Sequence, residues 1–271
     1  MHEFDNSCRL NANQFEGAGV VATSAGVYPW SRGRDDSITS APPSIAHWMN
    51  ALSTPATPPS AVVTQPPVAS RLVELLGLFV LVPLLMRWRV VAVPRLLVLG
   101  LVTAGCLAVL WRDPTFDRAR LLSWRGMRAS LRTLALRGGL ATVIVLALVR
   151  ALHPPATLWQ EPAHWLLGLA LYPFLSAWPQ EVLYRVFFFH RYERLLGSGR
   201  WLVAASATAF GFLHVVYPNP VAPLLSLPAG LLLALTYRRT RSMGPVWVEH
   251  TVYGLLLFTL GLGGYFFDGR P

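Results

Sequence analysis

The chain has 271 residues, 54% of them hydrophobic and only 13% charged, and its net charge is +10. Such a composition excludes a chain disordered throughout and fits a protein with several membrane spans. All 23 basic residues are Arg. They flank apolar segments and accompany no RNA- or DNA-binding motif, so no nucleic acid is expected as a partner and membrane topology accounts better for the charge. A Lys-free chain rich in Arg, Ala and Leu suggests a GC-rich bacterial genome.

Residues 1–70 are polar, with seven prolines between Pro42 and Pro67. They are expected to form a disordered Pro/Ser/Ala-rich segment. No basic start is followed by an apolar core, so no cleavable signal peptide is expected. Residues 71–267 are expected to be a helical transmembrane domain. Apolar segments fall at 72–86, 94–111, 133–152, 164–190, 201–216, 221–237 and 245–265. At about 20 residues per span, roughly seven or eight crossings fit. The predicted fold is an all-α, polytopic integral membrane bundle, placed in a bacterial inner membrane with lipids around it. Pro173 and Pro179 make 164–190 either one kinked crossing or a hairpin of two shorter helices. Cys8 and Cys106 lie in unlike environments, so no disulfide is expected.

Arg distribution orients the segments. The connection 112–132 carries Arg112, Arg118, Arg120, Arg125, Arg128 and Arg132. It should be cytoplasmic, as should the loops with Arg191, Arg194 and Arg200 and with Arg238, Arg239 and Arg241. The turns at 153–162 and 217–220 should face outward. Arg87, Arg89 and Arg95 run against that alternation.

The stretch WPQEVLYRVFFFHRY (178–192) puts Glu181 and Arg185 inside an apolar run. Burying either charge alone costs several kcal/mol, of order, so intramembrane charges pair and mark function. Four residues apart on a helix, the two share a face. His214 closes FGFLH, and His250 lies in MGPVWVEHTVYG. With Glu181 they make a Glu/His/His set on three separate helices. The same three could ligate zinc, although no HExxH is present and no cofactor is expected. Glu249, about 100° round the helix from His250, reads as an interfacial carboxylate. Phe187, Phe188 and Phe189 are expected to pack against lipid and neighbouring helices.

The order QExxxR, FxxxH, HxxxG resembles the CAAX prenyl protease and bacteriocin-processing (CPBP/Abi) family of intramembrane glutamic-type proteases, whose pattern is EExxxR, FxxxH, HxxxN. The resemblance covers about 130–265. It implies an all-helical domain with an internal cavity, hydrolysing a membrane-associated peptide or protein. Carried over, Gln180 or Glu181 stands at the general base, Arg185 orients it, His214 binds water and His250 stabilises the oxyanion. Two positions depart from the pattern. Gln180 replaces the first acid, and a neutral amide cannot take a proton, which moves the base to Glu181. Gly254 replaces the asparagine, whose role Tyr253, Thr251 or a backbone N–H would have to fill; Asn219, in the turn YPNP, is a poor substitute. The alternatives are a family member that has lost hydrolysis and acts as a membrane immunity or accessory protein, or a proton-coupled transporter. No repeat between the two halves supports transport.

Overall fold

A computed structural model describes residues 68–90, 93–152 and 162–266. Most of the Pro-rich segment, and residues 153–161 of the turn expected to face outward, therefore lie outside the described residues. Val68, Ala69 and Ser70 already belong to the first helix. Among the described residues the chain is helical with no strand.

Helix α1 spans Val68–Arg87, α2 Arg95–Arg112 and α3 Met127–Leu152. Helix α4 runs over 162–196, α5 over Arg200–Val216, α6 over Val221–Thr240 and α7 over Met243–Leu260. By length and composition α1, α2, α3 and α6 can each cross a membrane, and α5 is apolar but shorter. The two remaining helices, α4 and α7, carry the buried charges of the bundle.

The segment with two prolines is one continuous helical run and not a hairpin. It alternates α-helix Pro162–Tyr172, π-helix Pro173–Ala177, α-helix Trp178–Glu181, π-helix Val182–Phe187 and α-helix Phe188–Leu196. A proline has no N–H for the preceding turn, so the backbone must re-register its bonds. The Trp178 N–H accordingly donates to the Pro173 carbonyl, five residues back. Such π-turns widen a helix and concentrate at functional sites.

On α2 and α3, Leu97, Leu101, Leu136, Leu140 and Val143 are exposed. A row of large aliphatic side chains suits lipid as its solvent. The core lies on α4, with Val182, Val186 and Phe187–Phe189 essentially sealed. Phe188 packs edge-on against Phe79 and Tyr192, and Phe189 against Tyr237. The expectation of lipid contact for these three rings is corrected: all pack inward.

The two ends of the bundle differ. At one end Asp113 meets His190 at 2.9 Å, Glu193 meets Arg241 and Ser242 Oγ donates to the Ser123 carbonyl. The three Arg-rich connections thus gather together, as the charge pattern predicts. At the other end Asn219 Nδ2 donates to the Tyr265 carbonyl and its Oδ1 accepts from the Ala222 N–H. Asn219 therefore closes a turn. Arg95 lies over Tyr217 at this same end, opposite the other Arg clusters.

Candidate active site

Glu181 ends the short α-helical stretch between the two π-turns of α4, and Arg185 lies within the second. Both side chains are 0% exposed, and Glu181 Oε2 lies 3.2 Å from Arg185 Nε. The contact is close enough for an ion pair, but its angles give no hydrogen bond, and both atoms lack one. The guanidinium is held elsewhere. Nη1 donates to the Tyr184 carbonyl and to Ser206 Oγ, and Nη2 to the Gly230 carbonyl. Its plane covers Phe210 at 4.8 Å. A Cβ on residue 230 would meet Phe210 Cδ1 at 2.9 Å, so only glycine lets α6 come this close.

The other Glu181 oxygen, Oε1, accepts a hydrogen bond from His250 Nδ1 at 2.7 Å. An ionised carboxylate only accepts, so Nδ1 carries a proton and Nε2 is the nitrogen left for other chemistry. His214 is fixed in the same way. Its Nδ1 lies 2.9 Å from the Phe210 carbonyl, so Nδ1 donates and Nε2 keeps the lone pair. One ring joins the parts: Phe210 packs 5.0 Å from His214 and 5.3 Å from His250. The FxxxH motif thus supplies a histidine and also the ring on which both imidazoles and the guanidinium rest.

A cavity of about 70 Å³, open on one side, adjoins these groups. Helices α1 and α2 give it an apolar wall, including Phe79, Met86, Leu99 and Val102. Ser176, Gln180, His214 and Tyr217 give it a polar side. Gln180 and His214 therefore face the cavity, whereas Glu181 is sealed and His250 keeps 6% exposure. Gln180 Nε2 donates to Ser176 Oγ at 2.8 Å, and its Oε1 is buried without a hydrogen bond. Among the described residues no three His, Cys, Asp or Glu side chains gather as a metal group.

A second buried cluster lies one residue from His250. Glu249 is 1% exposed and pairs with Arg137 Nη1 on α3 at 2.9 Å. Tyr253 Oη donates to Glu249 Oε1 at 2.8 Å, and Thr236 Oγ1 donates to Oε2. The reading of Glu249 as interfacial is thereby corrected. Its rotation away from His250 points it at α3 and α6, where an Arg and two hydroxyls take it out of water. The Arg137–Glu249 pair was the signal missed in the sequence: two opposite charges, each inside a different apolar segment.

A helical membrane bundle with a Glu–His–Arg cluster beside an internal cavity is the class defined so far. Residues 162–256 match the family model described as Rce1-like, type II CAAX prenyl endopeptidase. The family resemblance carried by QExxxR, FxxxH and HxxxG is borne out over that segment, which runs from the start of α4 to near the end of HxxxG on α7. Four helices long and apolar enough to cross a membrane mark the chain as an integral membrane protein, and its segment 162–256 is similar to the CAAX-type intramembrane proteases. No curated protein and no solved structure matches the chain.

Proposed function

We propose that the chain is an intramembrane endopeptidase of the bacterial inner membrane that hydrolyses a peptide bond of a membrane-associated substrate lodged in the cavity. The observation that carries this reading is the 2.7 Å hydrogen bond from His250 Nδ1 to Glu181 beside a cavity faced by His214. With one oxygen on His250, the other on Arg185 and no exposure, Glu181 acts through His250 and not on water directly. Water donates hydrogen bonds to the lone pairs at His214 Nε2 and His250 Nε2. Its oxygen attacks the carbonyl carbon as its proton passes to His250 Nε2, and the C=O π pair moves onto oxygen. The carboxylate of Glu181 steadies the imidazolium so formed. When the carbonyl re-forms, the C–N bond breaks and His250 returns the proton to the leaving nitrogen. Arg185, 3.2 Å from its other oxygen, holds the Glu181 carboxylate in place.

The test is cleavage of an internally quenched, S-farnesylated peptide by the purified protein in proteoliposomes. His250→Ala and His214→Ala should each abolish turnover, and Glu181→Gln should lower kcat by about 10²-fold or more, within the usual worth of positioned proton transfer. Full activity in Glu181→Gln would reject the assignment. A second reading, a member that binds such peptides without cutting them, is favoured by one fact: the side chain that enters the cavity beside His214 is the neutral Gln180. Under that reading the wild type binds the peptide and never cleaves it, while Gln180→Glu gains turnover.

A further inference from the structure

Gly254 lies four residues past His250 on α7, and its missing side chain is occupied by another residue. A Cβ placed there would overlap the hydroxyl, Cζ and Cε1 of Tyr172. Tyr172 comes from α4, as the last α-helical residue before the π-turn Pro173–Ala177. Its ring lies edge-on to His250 at 6.0 Å and to Phe258 at 5.3 Å. Residues 250, 254 and 258 form one stripe of α7, and the phenol is laid along it, its tip in the glycine notch. Trp247 Nε1 donates to the Pro173 carbonyl at 2.7 Å, which pins α4 to α7 next to this ring.

Two facts separate Tyr172 from ordinary packing. Its hydroxyl makes no hydrogen bond among the described residues and does not belong to the sealed, unpartnered polar atoms of the interior, so it keeps some accessible surface. An accessible phenol that is not already bonded can donate to a group brought against it. Ser176 and Gln180, one and two turns further along α4, line the cavity, while Tyr172 lies outside that lining on the side of His250. An unused donor therefore lies against the imidazole that handles the proton, on the helix that faces the substrate space.

We infer that Tyr172 is a catalytic residue that donates its phenolic hydrogen bond to the oxyanion formed when water attacks the scissile carbonyl. This rests on the hydrolytic reading above. In that reading His250 takes the proton, so stabilising the negative oxygen falls to another donor. No proton is transferred: the O–H strengthens its bond as charge collects on oxygen and relaxes when the carbonyl re-forms. The glycine at 254 is then the condition for the tyrosine to be there.

The experiment uses the S-farnesylated peptide with the full chain in proteoliposomes. Tyr172→Phe keeps the ring in the notch and against His250 and removes only the donor. Its kcat should fall about 10²–10³-fold, the usual loss for one such donor, with KM and melting temperature unchanged. Gly254→Ala should lower kcat too, by expelling the phenol while leaving its hydroxyl intact. Tyr172→Ala with Gly254→Asn places an amide donor in the vacated notch and should recover activity over Tyr172→Ala alone. Wild-type turnover in Tyr172→Phe, or a change confined to KM, overturns the inference and leaves the protease reading standing. A wild type that binds the peptide and never cuts it overturns both.

Discussion

Among the described residues two carboxylates are buried, 68 residues apart in sequence, and they are handled in opposite ways. Glu249 has both oxygens hydrogen-bonded, by Arg137, Tyr253 and Thr236. Glu181 has one oxygen bonded to His250, and the other faces an Arg185 nitrogen without hydrogen-bond geometry. A cluster with every polar group satisfied pins helices together, here α3, α6 and α7. One with orphaned atoms stores unmet bonding capacity, and native proteins keep few such atoms without a use for them. The orphans here are Glu181 Oε2, Arg185 Nε and Gln180 Oε1, all on two turns of α4.

Substitutions test this contrast most severely at Arg185. Arg185→Leu removes the guanidinium and leaves the sealed Glu181 with His250 as its remaining partner. It should destabilise the fold by about 3–5 kcal/mol, read by thermal or denaturant unfolding in detergent. A variant as stable as wild type would mean that the pair contributes nothing. Glu181→Ala strands Arg185 in the same way, which is why Glu181→Gln is the cleaner probe of activity. At the satisfied cluster, Glu249→Gln should cost about 1–3 kcal/mol of stability yet leave kcat per folded molecule unchanged. Loss of turnover at an unaltered melting temperature would erase the distinction between the two clusters.

The smallest effect belongs to the polar end. Asp113, just past α2, would be raised by burial. The Thr115 hydroxyl and N–H and the His190 ring outweigh that and hold its carboxyl at about 2, below the ordinary 3.8. A depressed carboxyl stabilises the fold above its unfolded pKa, and that contribution fades as pH falls through about 2. Unfolding followed from pH 5 to pH 2 should show this loss, worth within about 1 kcal/mol for a part-exposed pair. Asp113→Asn should flatten that part of the curve.

Much of this was legible in the chain. Apolar runs gave the helices to within a few residues, and the Arg clusters correctly grouped three connections at one end. The spacing of Glu181 and Arg185 foretold their pairing, and the three motifs foretold that Glu181 and His250 would meet. Other features depend on which way a side chain turns. Adjacent Gln180 and Glu181 differ by about 100° on a helix. Only the fold reveals that the first faces the cavity and the second the interior. Tyr172 was silent because nothing in its neighbourhood announces a polar role. The clue lay 82 residues on, where Gly254 leaves room for it.

Phe210 is a common floor for three chemistries, touching the guanidinium of Arg185 and both imidazoles. A tilt of that single benzene ring would carry base, water-holder and anchor off register at once. Selection on any one of them is therefore felt by all, and trimming Phe210 to leucine should perturb the NMR signals of His214 and His250 in concert.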